Sequence, residues 1–257
     1  MFSSCLSHPL TRHYDVDDPK TTRLRRKIIR RKNFLRKVYE EWYAIIASAL
    51  PAAEGRVAEL GSGAGFLRDN IPGLISSDLL HLPDISIVLD GCRLPFKKAA
   101  LRAIVMTNVL HHLYDVQSFF SEAARCVKSG GTIVMVEPWV TSWSQFVYSQ
   151  LHPEPFELKA IDWHFPHKGP LSGANNALGW IIFKRDRRRF ERSYPEWHIQ
   201  NIRPFMPFRY LLSGGVSNRS LMPGFMFNAS RLMENILSPW FDRLAMFAVI
   251  RLVRTWH

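Results

Sequence analysis

The densest chemical signal in the chain is Glu59-Leu60-Gly61-Ser62-Gly63-Ala64-Gly65, entered from the apolar pair Val57-Ala58. Glycines at alternate positions let a backbone turn approach a ligand closely, since no side chain stands between them. The third glycine falls one place too early for the GxGxxG turn of a dinucleotide site, and the phosphate loop GxxxxGK[ST] is absent. A carboxylate at Glu59 repels a pyrophosphate and favours a ligand with an amine or sulfonium. Further along, Asp78 closes Leu74-Ile75-Ser76-Ser77, Asp90 precedes Gly91, and Asn108 leads into Val109-Leu110-His111-His112. Asp78 has a second reading as a helix cap and Asp90 as a turn residue. An imidazole, with an unperturbed pKa near ~6.5, can take the proton of a substrate hydroxyl, so His111 and His112 are candidate bases. Glu137 offers a carboxylate at a strand end, where open α/β sheets place ligands, and with His152 and His164 is a further candidate base. His152-Pro153-Glu154 and Asp162-Trp163-His164 lie in an aromatic stretch with Trp139, and these residues are expected to line a substrate pocket. Their spacing matches no compact site such as HExxH, so no metal is expected.

Short β-rich runs must position these groups: Val57–Leu60, Gly73–Ser77, Ile85–Leu89, Arg102–Thr107 and Thr132–Val136. Helical patterns between them, with Phe119–Val127 the clearest, give the alternation of βαβ units around a parallel sheet. A helix is expected directly after the glycine turn, its N-terminus facing the ligand, and Lys128-Ser129-Gly130-Gly131 reads as a helix stop and turn. Leu178–Phe190 and Met226–Leu237 read as helices, and Trp197–Arg203 and Ala245–Val253 as the last strands. From Thr21 to Leu50 apolar residues recur every three or four positions, predicting one or two amphipathic helices that end at Pro51.

In this order of features the sequence resembles the class I S-adenosylmethionine (SAM)-dependent methyltransferases, specifically the group similar to ubiquinone/menaquinone-biosynthesis methyltransferases, from about Gly55 to Val140. The resemblance implies a Rossmann-like α/β fold: a mostly parallel seven-stranded sheet with helices on both faces, an N-terminal helical extension and an insertion after strand five. It implies SAM as cofactor, with Glu59, Gly61, Ser62, Gly63 and Gly65 in the turn, Asp78 at the ribose, and Asp90, Gly91 and Asn108 completing the site. The expected organisation is a tail with basic amphipathic helices over 1–50 and the methyltransferase domain over 51–257, with a substrate-side insertion at 138–196.

The 257 residues suffice for one such domain. Lys and Arg outnumber Asp and Glu 34 to 22, and the pI near 10.0 favours anionic partners. Much of the excess lies between Lys20 and Lys37, a stripe that reads either as a solvated helix face or as a contact with an anionic membrane surface, with Phe34, Leu35, Trp42 and Tyr43 as interface or packing residues. Three scattered cysteines and no apolar run of roughly 18 residues point to a cytoplasmic, or peripheral membrane, protein. The expected acceptor is a small or lipid-linked molecule. An RNA methyltransferase and a catalytically silent binding protein are the alternatives; against RNA, Asn108 is not followed by the Pro-Pro-Tyr of base-amine enzymes.

Overall fold

The computed structural model describes residues 14–15, 17–151, 154–165, 169 and 173–255. Two helices come first, α1 (Pro19–Arg31) and α2 (Asn33–Ser48), with Asp18 capping α1 by accepting from Lys20 N. Then follow β1 (Arg56–Leu60), β2 (Ile75–Asp78), β3 (Ile87–Val88), β4 (Leu101–Thr107), α3 (Val116–Cys126), β5 (Val127–Pro138) and α4 (Ser142–Leu151). A one-turn α5 (Leu178–Trp180) continues through a π-helical stretch, Ile181–Arg185, towards α6 (Arg187–Ser193). Last come β6 (Trp197–Phe205), α7 (Arg209–Leu212), α8 (Phe227–Ile236), α9 (Phe241–Leu244) and β7 (Phe247–Arg254).

The strands form one seven-stranded sheet in the order β3-β2-β1-β4-β5-β7-β6, with β7 antiparallel to both neighbours and the β1 to β5 pairings parallel. Alternation along the strands divides the core. Ile104, Met106, Ile133, Met135, Ile250 and Leu252 face α3 and the α5 region, while Ala103, Val105, Val134, Val136, Phe247 and Val249 face α2.

Two local expectations are corrected. The glycine turn leads into no α-helix; only a 3-10 turn, Leu67–Asp69, lies between β1 and β2. Asn70, Pro72 and Gly73, the last at φ 71°, break the chain before a helix could nucleate. Residues 128–131 are not a turn but part of β5, where a bulge sets Leu101 opposite Val127 and Ala103 opposite Thr132. Of the two roles open to Phe34, Leu35, Trp42 and Tyr43, packing is the one observed: all four are buried and α2 forms a layer of the core. It covers the face that the helix-less β1–β2 and β2–β3 connections leave open, and Tyr43 Oη accepts from Phe66 N at 3.2 Å.

A buried ionic junction ties α2 to the C-terminal region. Arg209 donates to Glu41 at 2.5 and 2.8 Å and to Glu234 Oε2 at 2.5 Å, while Glu234 Oε1 accepts from Phe208 N and Arg209 N. Among the described residues no helix is long and apolar enough to cross a membrane.

Candidate active site

A cavity of about 630 Å³ opens at the carboxyl ends of β1, β2 and β4. Its first half is built from Gly61, Gly63, Asp78, Asp90, Gly91 and Asn108, its second from Tyr39, Val147, Tyr148, Tyr210, Met246 and Phe247. His111, His112 and Glu154 stand in its lining as well. The sheet thus brings together residues that lie far apart in sequence.

Gly61 and Gly63 have φ of 62° and 45°, backbone that side chains rarely adopt. A Cβ on Gly61 would also lie 2.5 Å from Val109 Cγ2. Asp78 Oδ2 accepts from Gly63 N at 2.8 Å and Oδ1 from Leu80 N at 2.9 Å. Burial raises its pKa against these bonds. Asp90 accepts from Cys92 N at 2.8 Å and from Tyr114 Oη at 3.1 Å.

Glu59, Ser62 and Gly65 are not in the lining. Ser62 Oγ donates to Glu59 Oε2 at 2.7 Å and accepts from Ser77 N at 3.1 Å, so the pair braces the turn against β2. Burial lifts the Glu59 carboxyl to about 7. Gly65 leaves room for the Tyr43 hydroxyl, which any Cβ would overlap. Of the expected pocket residues, Glu154 lines the cavity, Trp139 is buried in the core, His164 is exposed and bridges to Asp115, and His152 lies outside the described residues.

Glu137 is fully buried at the end of β5 and does not itself reach the cavity wall. Its Oε1 accepts from Val109 N and Leu110 N, both at 2.8 Å, and its Oε2 lies 2.7 Å from His111 Nδ1. A proton on Nδ1 then leaves the Nε2 lone pair of His111 available, 3.9 Å from Glu154 Oε2. Burial opposes the charged form of His111, yet the adjoining Glu137 and then Glu154 raise its pKa above the usual value. His112 Nδ1 is 3.1 Å from Gly173 O, and burial followed by the charge of His111 lowers its pKa to about 4.

The two imidazoles act on stability with opposite sign. His112 stays neutral in the fold, whereas the unfolded chain protonates near ~6.5; the unfolded state therefore binds more protons between that value and about 4. Stability contributed by His112 falls as pH drops through this window. His111 stabilises below its unfolded pKa, and that contribution is lost as pH rises through its raised folded value. Thermal melts of wild type and His112→Gln across the acid range should show a shallower acid-side loss in the variant; identical slopes would remove His112 as the cause.

Sequence reasoning assigned no cavity role to Thr22, Arg25, Tyr39, Asn176 or the stretch from Tyr210 to Asn218, which complete the walls. Gly214-Gly215, at φ 70° and 52°, was the one local signal of an unusual backbone there.

A cofactor with the shape and charge of SAM fits this framework. Buried Thr107 Oγ1 and Asn108 Oδ1 have no protein hydrogen-bond partner, and both residues line the cavity beside the carboxylates of Asp78 and Asp90. Asn108 itself has φ 56°, held by its N–H to Val136 O at 2.8 Å.

Comparison with known proteins agrees with this geometry. A family model described as a methyltransferase domain matches residues 59–135. No curated protein matches. Among solved structures, geranyl diphosphate C-methyltransferase from Streptomyces coelicolor A3(2) shares 15% identity over 97% of this chain and 90% of its own, with a TM-score of 0.55. A geranyl diphosphate methyltransferase in complex with SAM shares 13% over 97% and 96%, with a TM-score of 0.52. The [4+2]-cyclase SpnF shares 12% over 84% and 82%, with a TM-score of 0.51. The architecture is the Rossmann-like class I methyltransferase fold. Within it, residues 59–135 match the methyltransferase-domain model, and the cavity residues Asp78, Asp90, Thr107 and Asn108 are ones that could hold SAM.

Asp78 lines the cavity while it anchors the turn through Gly63 N, where the resemblance expects the ribose hydroxyls. Asp78→Ala should weaken SAM binding by about 1–3 kcal/mol, the value of a charge-assisted hydrogen bond. Calorimetry well below the unfolding temperature measures it. Unchanged affinity would reduce Asp78 to a cap on Leu80 and Gly63.

Proposed function

We propose that the protein transfers the methyl group of SAM to a hydroxyl of an apolar small-molecule or lipid-linked acceptor. The observation that carries this reading is the Glu137–His111 pair, whose imidazole enters a cavity that also has Val147, Tyr148, Met246 and Phe247 in its walls. SAM supplies an electrophilic methyl on sulfonium. The chain's own part is to position the acceptor in line, exclude water and accept one proton. His111 Nε2 takes the hydroxyl proton, and Glu137 holds the ring and stabilises the imidazolium. Since the pKa of His111 is raised, the rate should climb with pH to a point above the ordinary histidine value.

Two of the similar structures are named for methylation of geranyl diphosphate, which supports an acceptor with an apolar chain. SpnF, with the same fold, is named for a cyclisation, so fold alone does not fix the reaction. The test is release of S-adenosylhomocysteine when the protein and SAM meet fractionated lipid and small-molecule extracts. Acceptor-dependent release that His111→Gln abolishes, with SAM affinity retained, supports the proposal. SAM binding with no release in any fraction favours a silent binding protein, and release with RNA alone favours the RNA reading.

A further inference from the structure

Helix α8 and its two flanking 3-10 turns, Gly224–Met226 and Ser238–Trp240, make a nearly continuous rod. Its inner side is settled: Phe227, Ser230 and Glu234 are buried, and Glu234 is locked to Arg209. Its outer side carries Phe225, Leu232, Met233, Ile236 and Trp240, which are 80, 63, 65, 66 and 52% exposed. With exposed Ala229 between the first two, these residues recur at steps of three and four, one stripe along a helical surface. Scattered exposed apolar residues are ordinary; a stripe of five large ones marks a contact surface.

Charge at the rim decides what covers it. Between residues 219 and 243 the exposed ionisable groups are Arg219, Arg231 and Arg243 against Asp242. Lys37 Nζ, on α2, donates to Gly224 O at 3.3 Å, and Lys32 Nζ to Asn218 O at 2.8 Å, so further cations adjoin the same end. A second copy docked by a twofold axis would press this cationic rim against its own kind. An anionic bilayer instead offers acyl chains to the stripe and headgroups to the arginines, with Trp240 suited to the interface. We infer that this face docks on an anionic lipid bilayer.

The location gives the docking a use, which rests on the methyltransferase reading. Tyr210 to Asn218 wall the cavity, and the chain runs from that wall directly into the stripe. A docked protein would hold its acceptor pocket beside the membrane.

The test is sedimentation of the whole chain with vesicles of phosphatidylcholine, with and without phosphatidylglycerol. Binding should require phosphatidylglycerol, fall about tenfold or more in Leu232→Ser/Ile236→Ser, as for lost burial of apolar side chains, and fall about fivefold per arginine in Arg231→Ser and Arg243→Ser. Trp240→Ser gives a second variant should the first fail to fold. Calorimetry with S-adenosylhomocysteine on the same samples shows that the fold and cofactor site persist, and separates failure of docking from failure of the methyltransferase reading. No sedimentation of wild type, binding that ignores the stripe variants, or a dimer in light scattering that Leu232→Ser/Ile236→Ser dissolves would each overturn the proposal, the last in favour of a second copy.

Discussion

Glu137→Gln should fold, bind SAM with near-wild-type affinity and lose about 10²–10⁴-fold in kcat, the usual contribution of a positioned base. The amide retains an oxygen for Val109 N and Leu110 N, which keeps the turn after β4 in place. What it cannot do is accept from His111 Nδ1, now facing an NH2 group, so the ring changes tautomer and offers N–H instead of a lone pair at Nε2. The pH profile provides the readout that a merely structural role would not move: the rise through the raised His111 pKa should vanish along with the rate. Glu137→Ala is the contrasting variant. It leaves two backbone donors and an imidazole without a partner in a fully buried position, a loss of about 3–5 kcal/mol. If Glu137→Gln turned over at the wild-type rate, the pair would be a packing feature and the base would have to be sought elsewhere in the cavity.

Gly63→Arg should abolish measurable SAM binding. The position needs φ 45°, and a Cβ there points towards Asp78 Oδ2, at 3.7 Å, and Gly61 O at the same distance. Nothing in the core lies against it, so the new side chain extends into the cavity and its guanidinium meets the Asp78 carboxylate. The backbone strain is of order 1–3 kcal/mol, within reach of a folded domain. Titration calorimetry together with a thermal melt distinguishes the effects. A folded variant that still binds SAM would remove the glycine turn from the cofactor site.

The sheet was legible in the sequence because its signal is local: β-branched and aliphatic runs at Val57–Leu60, Arg102–Thr107 and Ala245–Val253 bury alternate side chains on two faces. Gly61, Gly63, Asp78, Asp90, Gly91 and Asn108 do meet at the cavity, because acidic residues and glycines at strand ends need no partner to be recognised, whereas Glu59, Ser62 and Gly65 lie outside its lining. The role of α2 was harder, since a helix with basic residues on one side and Phe34, Leu35, Trp42 and Tyr43 on the other fits a membrane surface and a sheet equally well. Only the missing helices between β1 and β3 decide it. Glu137 presents a similar limit: its carboxylate was expected to face a substrate, but burial and three donors turn it towards His111. Of Trp139, Glu154 and His164, only Glu154 reaches the cavity, because pocket lining depends on how the chain folds back after α4. The outward stripe on α8 escaped notice for the opposite reason. Its apolar residues satisfy a helix period, and periodicity alone does not say which apolar face is left over.

The placing of α2 also governs when the protein can be finished. It leaves the ribosome early, yet its buried face requires Val134 and Val136, Trp42 stacks on Tyr210 and contacts Phe247, and Glu41 pairs with Arg209. These partners are made much later, and contacts of such long sequence separation are slow to form. The glycine turn rests on Tyr43. The glycine turn and the cavity behind it are therefore completed only once β7 has been made, since β7 closes the layer that α2 must join.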